Sequence, residues 1–152
     1  MTSSFFSQIG NDINGEATDD NSGFSVNLSA EGSVVAIGSP WNDVNGDRSG
    51  HIRIYKNVNN TWTQLGSDIN GEAAYDELGY SVSLSADGSV VAIGARNNDG
   101  NGDDNGHVRV YQNNNGSWEQ IGDDIDGEAA GDQSGWSVSL SADGSVVAIG
   151  AA

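Results

Sequence analysis

The chain has 152 residues, the size of one ordinary domain, with 36% apolar residues, 22 Gly, one Pro and no Cys. Without Cys there is no disulfide, no thiolate nucleophile and no Cys-ligated zinc. A formal charge of −17, with Lys56 and four Arg as the only fixed cations, argues against nucleic acid or membrane insertion and favours solubility, salt or bound cations.

The first predicted element is an outer strand over about 5–13, "FFSQIGNDI". "FSVNLSA" at 24–30 sets apolar Val26 and Leu28 between polar neighbours, a period of two that predicts a strand. A tight turn at Glu31-Gly32 leads into "SVVAIGS" at 33–39, an apolar run expected to be buried on both faces. After a loop of Asn, Asp and Gly comes "HIRIYKN" at 51–57. Ile52 and Ile54 share one face of it, and His51, Arg53 and Tyr55 the other. "TWTQLGSDI" at 61–69 is the fourth predicted strand, and nothing has helical spacing over the length a helix needs. No apolar run approaches a membrane span, and "MTSSFFSQIG" has neither a charged leader nor an apolar signal core.

The pattern then recurs. Gln8, Gln64 and Gln120 stand 56 residues apart, and the same offset aligns Gly38, Gly94 and Gly150. Units are expected at about 24–69, 80–125 and, in part, 136–151, so that 152 residues hold 2.7 repeats. Four strands per 56-residue repeat predict an all-β chain, a β-propeller built of four-stranded antiparallel blades. A β-solenoid is the alternative, but its coils are much shorter than this period.

Recurrence also weighs the candidate sites. Asp43, Asn45 and Asp47 alternate along one Gly-bent acidic loop, as Asp99, Asn101 and Asp103 do along its repeat. Oxygen ligands at alternate positions converge on a hard cation, which makes these six the candidate Ca²⁺ ligands. The competing reading is that Asn-Gly and Asp supply turn conformations. Asp12, Glu16 and Asp20 recur as Asp68, Glu72 and Asp76 and as Asp124, Glu128 and Asp132. Recurrence in every unit predicts a role common to every blade, such as bonding loop N–H groups or holding a neighbour. His51 and His107, one unit apart, make no zinc site without further ligands, and packed or hydrogen-bonded strand histidines are expected. Trp41 aligns with Asn97, so it is the unshared aromatic and the candidate ligand-binding platform. No catalytic residue stands out. A hydrolase or lyase would need a non-repeated cluster, and the chain reads as non-enzymatic.

The aligned motifs resemble the FG-GAP repeat of integrin α-subunit propellers and their microbial relatives. Gly23-Phe24-Ser25-Val26, Gly79-Tyr80-Ser81-Val82 and Gly135-Trp136-Ser137-Val138 match its first signature, with Gly and the aromatic in swapped order. Gly38-Ser39-Pro40, Gly94-Ala95-Arg96 and Gly150-Ala151-Ala152 match its Gly-Ala-Pro. The Gly-x-Val-x-Val-Tyr strand looks like Gly50-His51-Ile52-Arg53-Ile54-Tyr55 and Gly106-His107-Val108-Arg109-Val110-Tyr111. The family's calcium hairpin lies between the first two signatures. Here that place holds only "SAEGS" and "SADGS", so that site is not carried over. The resemblance implies an extracellular or cell-surface adhesion or scaffold module that binds a surface protein or glycan. Since 2.7 repeats do not close a ring, head-to-tail assembly between copies, or a place within a longer propeller, is expected.

Overall fold

The computed structural model describes residues 5–152. Strands β1 (Ser25–Leu28), β2 (Val34–Ser39), β3 (His51–Val58) and β4 (Thr61–Gln64) pair antiparallel in chain order, and β5 (Ile69–Asn70) also pairs with β3. Strands β6 (Leu78–Leu84), β7 (Val90–Ala95), β8 (His107–Asn114), β9 (Ser117–Gln120) and β10 (Ile125–Asp126) repeat the arrangement. Strands β11 (Ser137–Leu140) and β12 (Val147–Gly150) form a two-stranded third sheet. The described residues are therefore all-β and propeller-like, and no sheet closes on itself.

The same letters bury differently in the three sheets, which shows how the sheets stack. In the middle sheet every residue of β7 is buried. In β2 burial alternates at first, with Val34 and Ala36 inside and Val35 and Ile37 half-covered. In β12 none is fully buried. A sheet covered on both faces needs two neighbours, and only the middle one has them here. The expected two-sided burial of the second strand thus holds for β7 alone. Val34, Ala36, Ile52, Ile54, Leu78, Val82, Leu84 and Ile93 form the core between the first two sheets.

The predicted fourth strand is two short ones. Tyr55 faces Gln64 and Ile52 faces Ile69, so two residues of β3 oppose the four residues 65–68. Gly66, at φ +80°, makes this bulge. The bulge receives the next sheet: the indole N–H of Trp118 donates to the Leu65 carbonyl at 2.7 Å, and that of Trp62 to the Ile9 carbonyl at 3.0 Å. Residues 5–13, expected as an outer strand, form none. A fourth strand pairs with the third strand of its own unit, and residues 5–13 have no such partner strand among the described residues.

The "SADGS" turns are closed by their acids. Asp87 Oδ1 accepts from the Ser89 N–H at 2.9 Å and from the Ser89 and Ser85 hydroxyls at 2.7 Å each. Those bonds, the Ser89 N–H first, hold the Asp87 carboxyl below its ordinary value. The Ser141 hydroxyl, then the Ser145 hydroxyl and N–H, hold Asp143 down to about 2. An unfolded chain therefore takes up these protons before the folded one does. The stabilisation is complete above the ordinary carboxylate pKa and is lost as pH falls through the folded value. Asp87→Asn is expected to flatten the acid limb of the stability curve below the ordinary carboxylate range. Acid unfolding followed by circular dichroism tests this, and an unchanged limb would refute it.

Candidate functional site

Each of the two larger sheets carries the same polar cluster on one face of its third strand. In the first sheet, His51 and Arg53 of β3 meet Asp68 from the bulge and Glu16 from the loop that leads into the sheet. His51 is fully buried. Its Nδ1 lies 3.9 Å from Glu16 Oε2 and 3.8 Å from Asp68 Oδ2, and neither ring nitrogen has a hydrogen-bond partner among the described residues. Burial first, then the Arg53 charge, lowers its pKa against the pull of Asp68 and Glu16, so the ring is neutral at neutral pH. Arg53 donates from Nη1 to the Tyr55 hydroxyl at 3.2 Å, and its Nη2 lies 3.6 Å from Glu16 Oε2.

The second sheet has the same residue types at an offset of 56, in a tighter arrangement. Arg109 grips Asp124 with Nε at 2.8 Å and Nη2 at 2.6 Å, and Nη2 also reaches Glu72 Oε1 at 2.5 Å. Burial opposes the Arg109 charge, but the bonds it donates to Asp124 and Glu72 outweigh that and raise its pKa above the ordinary value. Arg109 in turn is the main cause that lowers the Asp124 carboxyl. His107 Nδ1 lies 3.6 Å from Asp124 Oδ2. Beside each cluster runs an open groove. Asp68, Asn70, Tyr111 and Trp118 line one of about 320 Å³, and Asp12, Asn14, Tyr55 and Trp62 line its counterpart of about 290 Å³.

The acidic loops are bonded into the fold. Asp43 accepts from the Arg48 N–H at 2.8 Å, Asn45 donates its side-chain amide to the Gly71 carbonyl at 2.7 Å, and Asp47 accepts from the Tyr75 hydroxyl at 2.8 Å. In the repeat, Asp99 accepts from the Asp104 N–H at 2.7 Å, Asn101 reaches the Gly127 carbonyl at 3.5 Å, and the Asp103 carbonyl accepts from the Gly131 N–H at 2.9 Å. Both loops are thereby tied to the loop that leads into the next sheet. Trp41 is half-buried, with the Arg48 guanidinium 4.6 Å from its ring centroid, which occupies one face of the indole. Asp20, Asp76 and Asp132 cap loop N–H groups of Ala17, Ala73 and Ala129, the role their recurrence predicts. The histidines are packed as expected, but His51 is not hydrogen-bonded. Glu16 and Asp68 join it, and the signal for that grouping is an offset shared by all three types.

Comparison with known families decides the repeat: a model described as "FG-GAP repeat" matches residues 70–111. That span carries an FG-GAP repeat. It runs from β5 to Tyr111 and takes in Gly79-Tyr80, Gly94-Ala95, the second acidic loop and most of β8, so the FG-GAP frame straddles one seam. Comparison with curated proteins gives no match. Among solved structures, Kuenenia stuttgartiensis hydrazine synthase is similar with a TM-score of 0.53 and 13% identity, over 91% of this chain and 32% of that one. The likeness is one of fold. The chain spans about a third of that protein's length.

Proposed function

We propose that the chain is a non-enzymatic β-propeller scaffold and binding module, extracellular or at the cell surface, whose end sheets are completed by further copies of itself. The observation that carries this is the complementarity of its two ends. At the inner seams, Val34 packs over Gly88 and Val90 over Gly144. Ser25 and Ser81 donate hydroxyls to the Gly79 and Gly135 carbonyls at 2.8 and 2.7 Å. The backbone bonds Ala30–Ala86 and Ala86–Ala142 are 2.8 Å each. Carried one step on, the pattern sets Val146 over Gly32 of the next copy and Ser137 against its Gly23.

Both halves of that join are bare in the single chain. Val146 is 65% exposed, where Val34 and Val90 are 4% and 6%. Val26 and Leu28 are 60% and 56% exposed, where Val82 and Leu84 in the middle sheet are 8% and 6%. Exposed apolar faces of this kind drive association. Two chains would give a six-bladed ring and three a nine-bladed one, each with a third strand missing at every join. In this reading the blade loops meet a surface protein or glycan, with Ca²⁺ at the acidic loops.

Native mass of the polypeptide, with calcium and with a chelator, tests the assembly. A discrete multiple of 15.7 kDa is expected. Val146→Glu should reduce it to the monomer without loss of the β-sheet signal. A monomer at every concentration would refute the self-assembly. A multimer that dissolves only on chelation would place cations in the join.

A further inference from the structure

We propose that Glu16, His51 and Asp68 form a site for a divalent transition-metal ion of the zinc type, which Arg109 closes in its second copy. A buried polar atom without a partner is rare in folded proteins and requires an explanation. His51 presents such an atom, Nδ1, and aims it between two carboxylates. One ligand atom from each of the three residues lies within 4.8 Å of the others. Tetrahedral zinc, with bonds of about 2.0–2.2 Å, holds its ligand atoms about 3.3–3.5 Å apart. The observed separations of 3.8 and 3.9 Å close to that by small rotations of the acids, whose side chains are 49% and 27% exposed.

Ligand type selects the class of ion. Calcium and magnesium take six or more oxygens, whereas one imidazole with two carboxylates suits zinc and its neighbours. The neutral ring, two negative acids and a divalent ion sum to zero charge. Gln64 donates to Asp68 Oδ1 at 2.5 Å and so holds the oxygen that does not face the histidine, as outer partners of metal-bound carboxylates do. Glu16 and Asp68 both reach solvent, which gives the ion a route in and water a place at the remaining position.

Arg53 and Arg109 separate the two copies. Arg53 is held at the Tyr55 hydroxyl, and Asp68 is free of it. Arg109 takes both oxygens of Asp124 and one of Glu72, and so fills with a guanidinium the place of a cation. One copy is therefore open and the other filled.

Calorimetric titration of the whole chain with zinc chloride tests this. One saturable equivalent per chain is expected, with a Kd of about 10 μM or tighter. Replacing His51 risks the fold, so the decisive variant is Asp68→Asn, which keeps the shape of a partly exposed side chain. It should weaken binding at least about tenfold. Glu31→Gln, an equal loss of charge at an exposed acid elsewhere, should leave binding unchanged. X-ray absorption should show one imidazole nitrogen in an otherwise oxygen shell. Arg109→Gln should open the second copy and raise the stoichiometry to two. Absence of saturable binding, insensitivity to Asp68→Asn, or many weak equivalents that follow net charge would each overturn the site. A stoichiometry still at one in Arg109→Gln would overturn the closing role of Arg109.

Discussion

Arg109→Ala is expected to lower stability by about 2–4 kcal/mol, well above the effect of Arg53→Ala. The guanidinium is 10% exposed and donates to both oxygens of Asp124 and to Glu72, beside a buried His107. Its removal leaves two carboxylates without a counter-charge on a sheet face that also holds the Tyr111 ring. The acids themselves are 29% and 53% exposed, so water restores part of the loss and keeps the cost below that of a fully buried pair. Arg53 donates only to the Tyr55 hydroxyl and stands off Glu16 at 3.6 Å, which makes it a weaker partner, with an expected cost of about 1 kcal/mol. Urea unfolding of the two variants, in metal-free buffer, reads the difference. Equal costs would mean that the bidentate clamp contributes nothing beyond the packed arginine stem.

The contrast between these two arginines shows where sequence reading stops. His51-Ile52-Arg53-Ile54-Tyr55 and His107-Val108-Arg109-Val110-Tyr111 are the same strand by pattern, and their faces follow from a period of two. The unit itself was legible for the same reason: alternation, Gly punctuation and a fixed offset each report local structure. Whether an arginine turns to its own strand's tyrosine or to an acid from the next loop depends on side-chain rotamers, which no periodicity encodes. The split of the fourth strand could be read only in hindsight from Gly66, because a lone Gly in a strand pattern marks either a bulge or a close approach, and here it marks both. The acidic loops are ambiguous for a related reason. Alternating Asp and Asn is what a cation site and a self-bonded turn share, and here Arg48, Gly71 and Tyr75 take up groups of Asp43, Asn45 and Asp47.

Gly94→Ala should be a strongly disruptive small change, and Gly150→Ala at the matching position a mild one. A Cβ on Gly94 would run into the Gly135 carbonyl oxygen, a backbone atom of the next sheet, and into the Ser81 hydroxyl. A Cβ on Gly38 meets the Gly79 carbonyl and the Ser25 hydroxyl in the same way. Backbone cannot yield as a side-chain tip can, so the seam must open, and with it the packing of Val82 and Leu84 on the first sheet or of Val90 over Gly144. A loss of about 3 kcal/mol or more is expected, in the range of overpacked cores. At Gly150 the near atoms belong to Ser137 of the neighbouring strand, with the hydroxyl the close one, and a rotamer change relieves it at a cost of about 1 kcal/mol or less. Thermal unfolding of the two variants under dilute, monomeric conditions measures what one sheet-to-sheet seam contributes. If both fell equally, the glycine would be serving its own strand pair, not the approach of the next sheet. At concentrations where copies associate, Gly150→Ala should lose its mildness, since its methyl would then meet the Gly23 carbonyl of the adjoining chain. A methyl group that is harmless in the monomer and obstructive in the multimer is therefore a probe of whether the outer seam repeats the inner ones.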